Sequence, residues 1–315
     1  MRQSLAAAVL VGTTAAFILF SCTPTPDDVG SLTASPPSPG TPSSAPAVTV
    51  GAASQQTSTP ATGSQSPSAS PPPEPARTVA TSAPIPANRG TSSHRSADVQ
   101  RWITAPGKGE QPPAKTVFLT FDDGPAELTG AILDVLKAKD AHATFFVTGS
   151  QVKKRPDLLR RTQREGHALA IHTYSHDYRE LYPNRTGSVE AIIADYDKAL
   201  AAVQAVLGES YSPTAYRYPG GHMSWKGLAP ADAALAERGV HWIDWNAMTG
   251  DAEPPSRRPK SVDAAVAMAT AGISSGANAV VVLAHDTSAG AISLKALPRV
   301  IDAYRAAGYT FGIIS

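Results

Sequence analysis

From residue 116 to the C-terminus the chain alternates seven short apolar runs with six amphipathic stretches, and this alternation restricts the fold more than any other feature. The apolar runs are 117–121, 143–147, 168–171, 215–218, 240–245, 279–283 and 310–314. Helical periodicity falls at 127–139, 155–165, 188–207, 228–238, 261–275 and 294–307. Short strands without a polar face belong in a parallel sheet covered by helices. The pattern predicts an α/β fold, a distorted (β/α) barrel of about seven parallel strands in a single domain. An open doubly wound sheet would read similarly. Neither a Gly-x-Gly-x-x-Gly sequence nor a phosphate loop follows the first strand, which argues against a nucleotide site.

The chemically versatile residues sit where such a fold needs them. Asp122 and Asp123 follow the first run, His172 and His176 the third. Arg217 ends the fourth, Asp251 comes shortly after the fifth, and His285 directly follows the sixth. Strand C-termini of parallel β/α folds converge on one rim, and that rim hosts the site. Asp123, His172 and His176 together supply His, His and carboxylate, a set suited to a divalent cation with positions left for water and substrate. Taken singly, each element has a plainer reading. Two aspartates before Gly-Pro can cap a helix, and an i, i+4 histidine pair on a helical turn is more often surface or satisfied core. Of the other histidines, His167 lies at the wrong end of its strand, and His222 sits beside the Arg217 motif. Trp225, Trp242 and Trp245 read as core or cleft wall.

The N-terminal third has another character. Of 28 prolines, 15 lie between residues 23 and 88, a stretch with four charged residues and no aromatic. Such a segment cannot offset the entropy cost of ordering itself, so 23–100 reads as a disordered Pro/Ser/Thr-rich linker and 101–315 as the folded domain. Residues 1–22 combine Arg2, an apolar run and Ser21-Cys22, as in an exported lipoprotein signal with Cys22 as the lipidation site. A simply cleaved signal and an uncleaved anchor are the alternatives. All three place the domain outside the cytoplasmic membrane, in the cell envelope or, if the signal is simply cleaved, secreted. The one cysteine excludes an intramolecular disulfide and a thiolate cluster. A net charge of +1 gives no nucleic-acid footprint.

Four motifs occur in order: Thr120-Phe121-Asp122-Asp123-Gly124-Pro125, His172-Thr173-Tyr174-Ser175-His176, Arg217-Tyr218-Pro219-Gly220-Gly221 and Leu283-Ala284-His285. Together they resemble the NodB-like polysaccharide deacetylases, carbohydrate esterase family four, over about residues 115–315. The resemblance implies metal-dependent removal of acetyl groups from sugar polymers; the chain itself reads as a monomer. It implies Asp122 as base, Asp123, His172 and His176 as metal ligands, Arg217 holding the base, and His285 as acid tuned by Asp251. Zinc is the first choice of metal, with cobalt or manganese as alternatives. Leu283 matches the contact for the acetyl methyl, Gly220 supplies the amide facing the oxyanion, and Trp245 lines the substrate pocket. Two departures stand out: Ala252 replaces the usual Trp after Asp251, and Arg-Tyr-Pro-Gly-Gly replaces the commoner Arg-Pro-Pro-Tyr-Gly. The implied substrate is cell-wall glycan, most simply the N-acetylglucosamine of peptidoglycan. O-acetylated xylan, chitin oligomers and a non-catalytic wall-binding role are the alternatives.

Overall fold

The computed structural model describes residues 91–315, so the expected leader at 1–22 with Cys22, and the linker up to residue 90, lie outside the described residues. The first half comprises β1 (Thr91–His94), α1 (Ser96–Thr104), β2 (Thr116–Asp122), α2 (Thr129–Ala138), β3 (Ala143–Thr148), α3 (Gly149–Lys154), α4 (Pro156–Arg164), β4 (Ala168–Thr173) and α5 (Tyr178–Leu181). The second half comprises α6 (Val189–Leu207), β5 (Ala215–Tyr216), α7 (Ala229–Ala236), β6 (His241–Trp242), β7 (Ala247–Met248), α8 (Val262–Ala269), α9 (Ala271–Ser275), β8 (Ala279–His285), α10 (Ala291–Ala306) and β9 (Thr310–Ile314). All strand pairs run parallel, along the path β7-β8-β2-β3-β4-β5-β6. β9 meets the first residues of β2 and carries β1 on its other edge.

Side-chain alternation sorts each strand into two sets. Val117, Leu119, Phe121, Phe145, Val147, Leu169, Ile171, Val280 and Val282 pack with the helices in one large cluster. Phe118, Phe146, Ala170, Ala215, Ile243 and Val281 form a second, inner cluster. That inner cluster requires a curled sheet. Flat strands set β5 and β2 about 14 Å apart, three spacings, yet Arg217 just beyond β5 bonds Asp122 on β2 at 2.7 Å. The sheet is therefore barrel-like, as the strand pattern predicts.

The folded part starts earlier than residue 101. β1 pairs with β9, and α1 places Val99 and Trp102 in the inner cluster, closing the end of the barrel where the strands begin. Ser96 Oγ donates to the Thr214 carbonyl at 2.8 Å and Gln100 Nε2 to that of Trp242 at 3.0 Å, fastening the plug. Composition hides this segment because β1 contributes backbone hydrogen bonds rather than apolar side chains. β7 was likewise hidden, being two residues long. The 261–275 stretch divides into α8 and α9 at Thr270. Among the described residues no helix is long and apolar enough to cross a membrane.

Candidate active site

The inward parity that buries Phe118 and Phe146 continues to the strand ends and delivers Asp122, His172, Arg217, Leu283 and His285 to the inner face. Asp122 and His285 are register partners on β2 and β8. Asp123 should then face outward, but its φ of 76° breaks the alternation and turns its carboxylate back inside. The same left-handed conformation recurs at His176, with φ 57°. The two histidines are thus joined by a loop and not by the helical turn that their spacing implies. Asp195 on α6 fixes that loop by accepting the Tyr174 and Ser175 backbone N–H groups, and Thr173 Oγ1 accepts that of His176 at 3.0 Å. Strain of this kind concentrates at functional sites.

Asp123, His172 and His176 present ligand atoms that all lie within 4.8 Å of one another. His172 Nε2 stands 3.5 Å and His176 Nε2 3.4 Å from Asp123 Oδ1. His172 Nδ1–H donates to the Arg217 carbonyl at 2.8 Å, which leaves its Nε2 as a lone pair. Burial, reinforced by His176, pushes the His172 pKa down to about 3, so the ring is neutral at physiological pH. Asp123 Oδ1 is buried with no hydrogen-bond partner among the described residues. A histidine lone pair aimed at an orphaned carboxylate oxygen suits a cation between them. Ligands about 2.0–2.1 Å from a tetrahedral zinc ion stand about 3.4 Å apart, so the donor set fits a divalent metal.

Asp122 occupies a different environment. It is buried, and burial raises its pKa, while the charge of Arg217 opposes that rise. Arg217 is itself fully buried and donates through Nη1 to Asp122 Oδ1 (2.7 Å) and Thr120 Oγ1 (2.8 Å), and through Nε to the Ile243 carbonyl (2.8 Å). The result is an oriented carboxylate with enhanced basicity. His285 faces the opposite balance. Burial disfavours its charged form, but the Asp251 hydrogen bond and the Asp251, Asp123 and Asp122 charges outweigh it, raising the pKa to about 9. His285 Nδ1–H donates to Asp251 Oδ1 at 2.8 Å, and its backbone N–H donates to Oδ2 at 3.0 Å. His285 is therefore charged at neutral pH, an acid placed opposite a base.

The pocket residues fall beside this centre. Gly220, at φ 76°, packs against Tyr178 and Trp225, where an added Cβ would stand 3.3 and 3.4 Å from their rings. Trp245 backs Gly221 in the same way, and Leu283 pairs with Met248 under the rim. His222 stands aside from the cation donors: it bonds Asp232 through Nε2 and stacks on Trp242 at 3.8 Å. Sequence reasoning missed three carboxylates and a hydroxyl. Asp286 receives Thr129 Oγ1–H and packs against Gly124, where no side chain fits. Burial raises its pKa to about 7. Asp244 accepts the His222 and Met223 N–H groups, Asp195 holds the histidine loop, and Ser293 Oγ donates to Asp251. Position alone marks Asp286, which directly follows His285; the other three lie far in sequence from what they support.

Residues 109–234 match the family described as polysaccharide deacetylase. The chain is similar to the peptidoglycan-N-acetylglucosamine deacetylase of Bacillus cereus, 31% identical over 212 residues that span 66% of this chain and 72% of that relative. A Streptococcus mutans CE4 esterase structure aligns with a TM-score of 0.66 at 41% identity, covering 71% of this chain and 92% of the other. The catalytic domain of a peptidoglycan N-acetylglucosamine deacetylase from Eubacterium rectale aligns at 0.57 and 30% identity, covering 68% and 94%. The opposed acid and base, the cation donors and these likenesses lead to one statement: the chain is a hydrolase of the polysaccharide deacetylase family, carbohydrate esterase family four.

Proposed function

We propose that the protein removes N-acetyl groups from the N-acetylglucosamine of peptidoglycan in a metal-dependent reaction. The observation that carries this reading is the convergence, on one rim, of a base held by arginine, a charged histidine acid and the cation donors between them. Asp123, His172 and His176 would hold the ion, which when bound supplies Lewis-acid activation of water and of the acetyl oxygen. Asp122 takes the proton from the attacking water, and Arg217 keeps its carboxylate aimed. His285 gives its proton to the departing amine, which is a poor leaving group until protonated. Asp251 keeps His285 charged and sets its Nδ1–H, leaving Nε2 toward the substrate. The Gly220 amide faces the developing oxyanion, and Leu283 meets the acetyl methyl.

In the same reading, residues 1–22 export the chain, lipidated Cys22 holds it on the outer side of the cytoplasmic membrane, and the segment after it lets the domain reach the wall. Acetate release from purified peptidoglycan, chitin oligomers and acetylated xylan, with and without chelator, tests the proposal. Expected is release from the N-acetylated glycans, abolished by chelator and restored by zinc. Release from xylan alone would replace it with O-deacetylation.

A further inference from the structure

Two rim segments, 178–187 after β4 and 220–227 after β5, are fastened to each other. Lys226 N–H donates to the Arg185 carbonyl at 3.1 Å, and Gly187 N–H to that of Lys226 at 2.8 Å. Tyr182 and Trp225 stack between them at 4.1 Å and 9°. The wall runs outward from the cation donors in short steps. The Tyr178 ring stands 5.2 Å from that of His176, and Trp225 stands 5.4 Å from Tyr178. Tyr178 and Met223 are the exposed large hydrophobic residues of the described chain, and both lie on these two segments.

Arg185 ends the wall. It and Asn184 adopt successive left-handed conformations, φ 62° and 52°, unusual for residues with a side chain. This turn sets the guanidinium 5.3 Å over the Trp225 ring, with Nη2 donating to the Ser224 carbonyl at 3.0 Å. Among the described residues no carboxylate lies within ion-pair distance of Arg185 or of the neighbouring Lys226, whereas Arg155, Arg161 and Arg299 are all paired. An aromatic face suits the apolar side of a sugar ring. A planar cationic fork suits a carboxylate.

We propose that Tyr178 and Arg185, both braced by Trp225, form a subsite for a sugar that neighbours the acetamide and bears a carboxylate, with Tyr178 as the ring platform and Arg185 as the specificity-determining residue. The inference rests on the deacetylase reading and adds that the glycan is acidic, as a peptidoglycan strand is where its muramic acid carries no stem peptide. A neutral polymer would use the aromatic face and leave the fork idle.

The test measures calorimetric affinity and acetate release with the full-length protein, Arg185→Gln and Arg185→Lys. Its probes are a tetramer of alternating N-acetylglucosamine and N-acetylmuramic acid, the same tetramer with its carboxylates reduced to alcohols, and the neutral N-acetylglucosamine tetramer. Wild type should bind the acidic tetramer about tenfold more tightly than the reduced one, and less so as salt rises. Arg185→Gln should abolish that preference with affinity for the neutral tetramer unchanged, and Arg185→Lys should keep part of it. Equal weakening on all three tetramers would make Arg185 a loop fastener and overturn the proposal, as would a preference surviving in Arg185→Gln. Arg185-dependent preference without acetate release would retain the subsite and reject the deacetylase reading.

Discussion

Two histidine pairs lie at opposite ends of β3 and β4, and only the rim pair fits a cation. At the rim, His172 and His176 have ring centroids 5.0 Å apart; at the opposite end His142 and His167 stand at 5.3 Å. Burial pushes both His172 and His167 down to about 3. Carboxylates flank both pairs, and the lower one borders a cavity of about 300 Å³ lined by Asp140, Glu165 and Arg164. What differs is the use of the lone pairs. His172 Nδ1–H is spent on a carbonyl, so Nε2 points at the orphaned Asp123 oxygen. His167 Nδ1 accepts the Ala143 N–H at 3.2 Å, and His142 bonds Thr91 Oγ1 at 2.8 Å and the Glu165 carbonyl. Proximity, burial and nearby charge are common to both pairs; a free, aimed lone pair is what fits the rim pair alone to a cation.

Substitution at each end should break the symmetry. His172→Ala should lose about 10³-fold or more in acetate release together with its metal, because a ligand matters more than the outer partners that cost about 10–100-fold. The domain should still fold, as measured by circular dichroism. His285→Ala tests a third kind of histidine, one bonded to a carboxylate. Loss of a general acid should cost about 10²–10⁴-fold, with bound metal retained on elemental analysis. Metal loss in that variant would place His285 among the ligands.

Asp251→Asn has a smaller effect with a definite sign. In the proposed reaction His285 acts while protonated, and its pKa is raised to about 9, so activity should persist through neutral pH and fall as pH rises past that value. Removing the carboxylate leaves burial, the largest influence, less opposed, and the charged form is lost earlier. The basic limb of the pH–rate profile should move down by about one pH unit. An unmoved limb would show that Asp251 only positions the ring. His167→Ala should have the least effect on activity, leaving rate and metal content unchanged. It strands the buried Ala143 N–H, at about 1–3 kcal/mol of stability, readable by urea denaturation.

How much of this was legible depends on where each signal resides. Asp122, His172, Arg217 and His285 lie at strand ends with one parity, so the period-2 pattern and the parallel fold suffice to gather them. Asp123 and His176 were legible as residue types, yet their orientation depends on left-handed backbone that side-chain spacing does not encode; the i, i+4 argument placed the pair on a helical turn where the structure has a loop. Ser293, Asp195 and Asp244 act on groups 42, 21 and 22 residues away, and no local pattern announces such a contact. β1 and the start of α1 were lost because the composition of 91–96 runs on from the linker and the pairings of β1 are made by backbone. The alternation of apolar runs revealed the architecture, since burial on both faces leaves a mark in every strand.

The most direct measurement of the central claim is the divalent metal content of full-length wild type, His172→Ala and His167→Ala, purified in parallel and equilibrated with zinc. Wild type and His167→Ala should each hold about one ion per chain, His172→Ala almost none, and acetate release should follow the metal. A full complement of metal in His172→Ala, or its loss in His167→Ala, would contradict the assignment of the cation site to Asp123, His172 and His176.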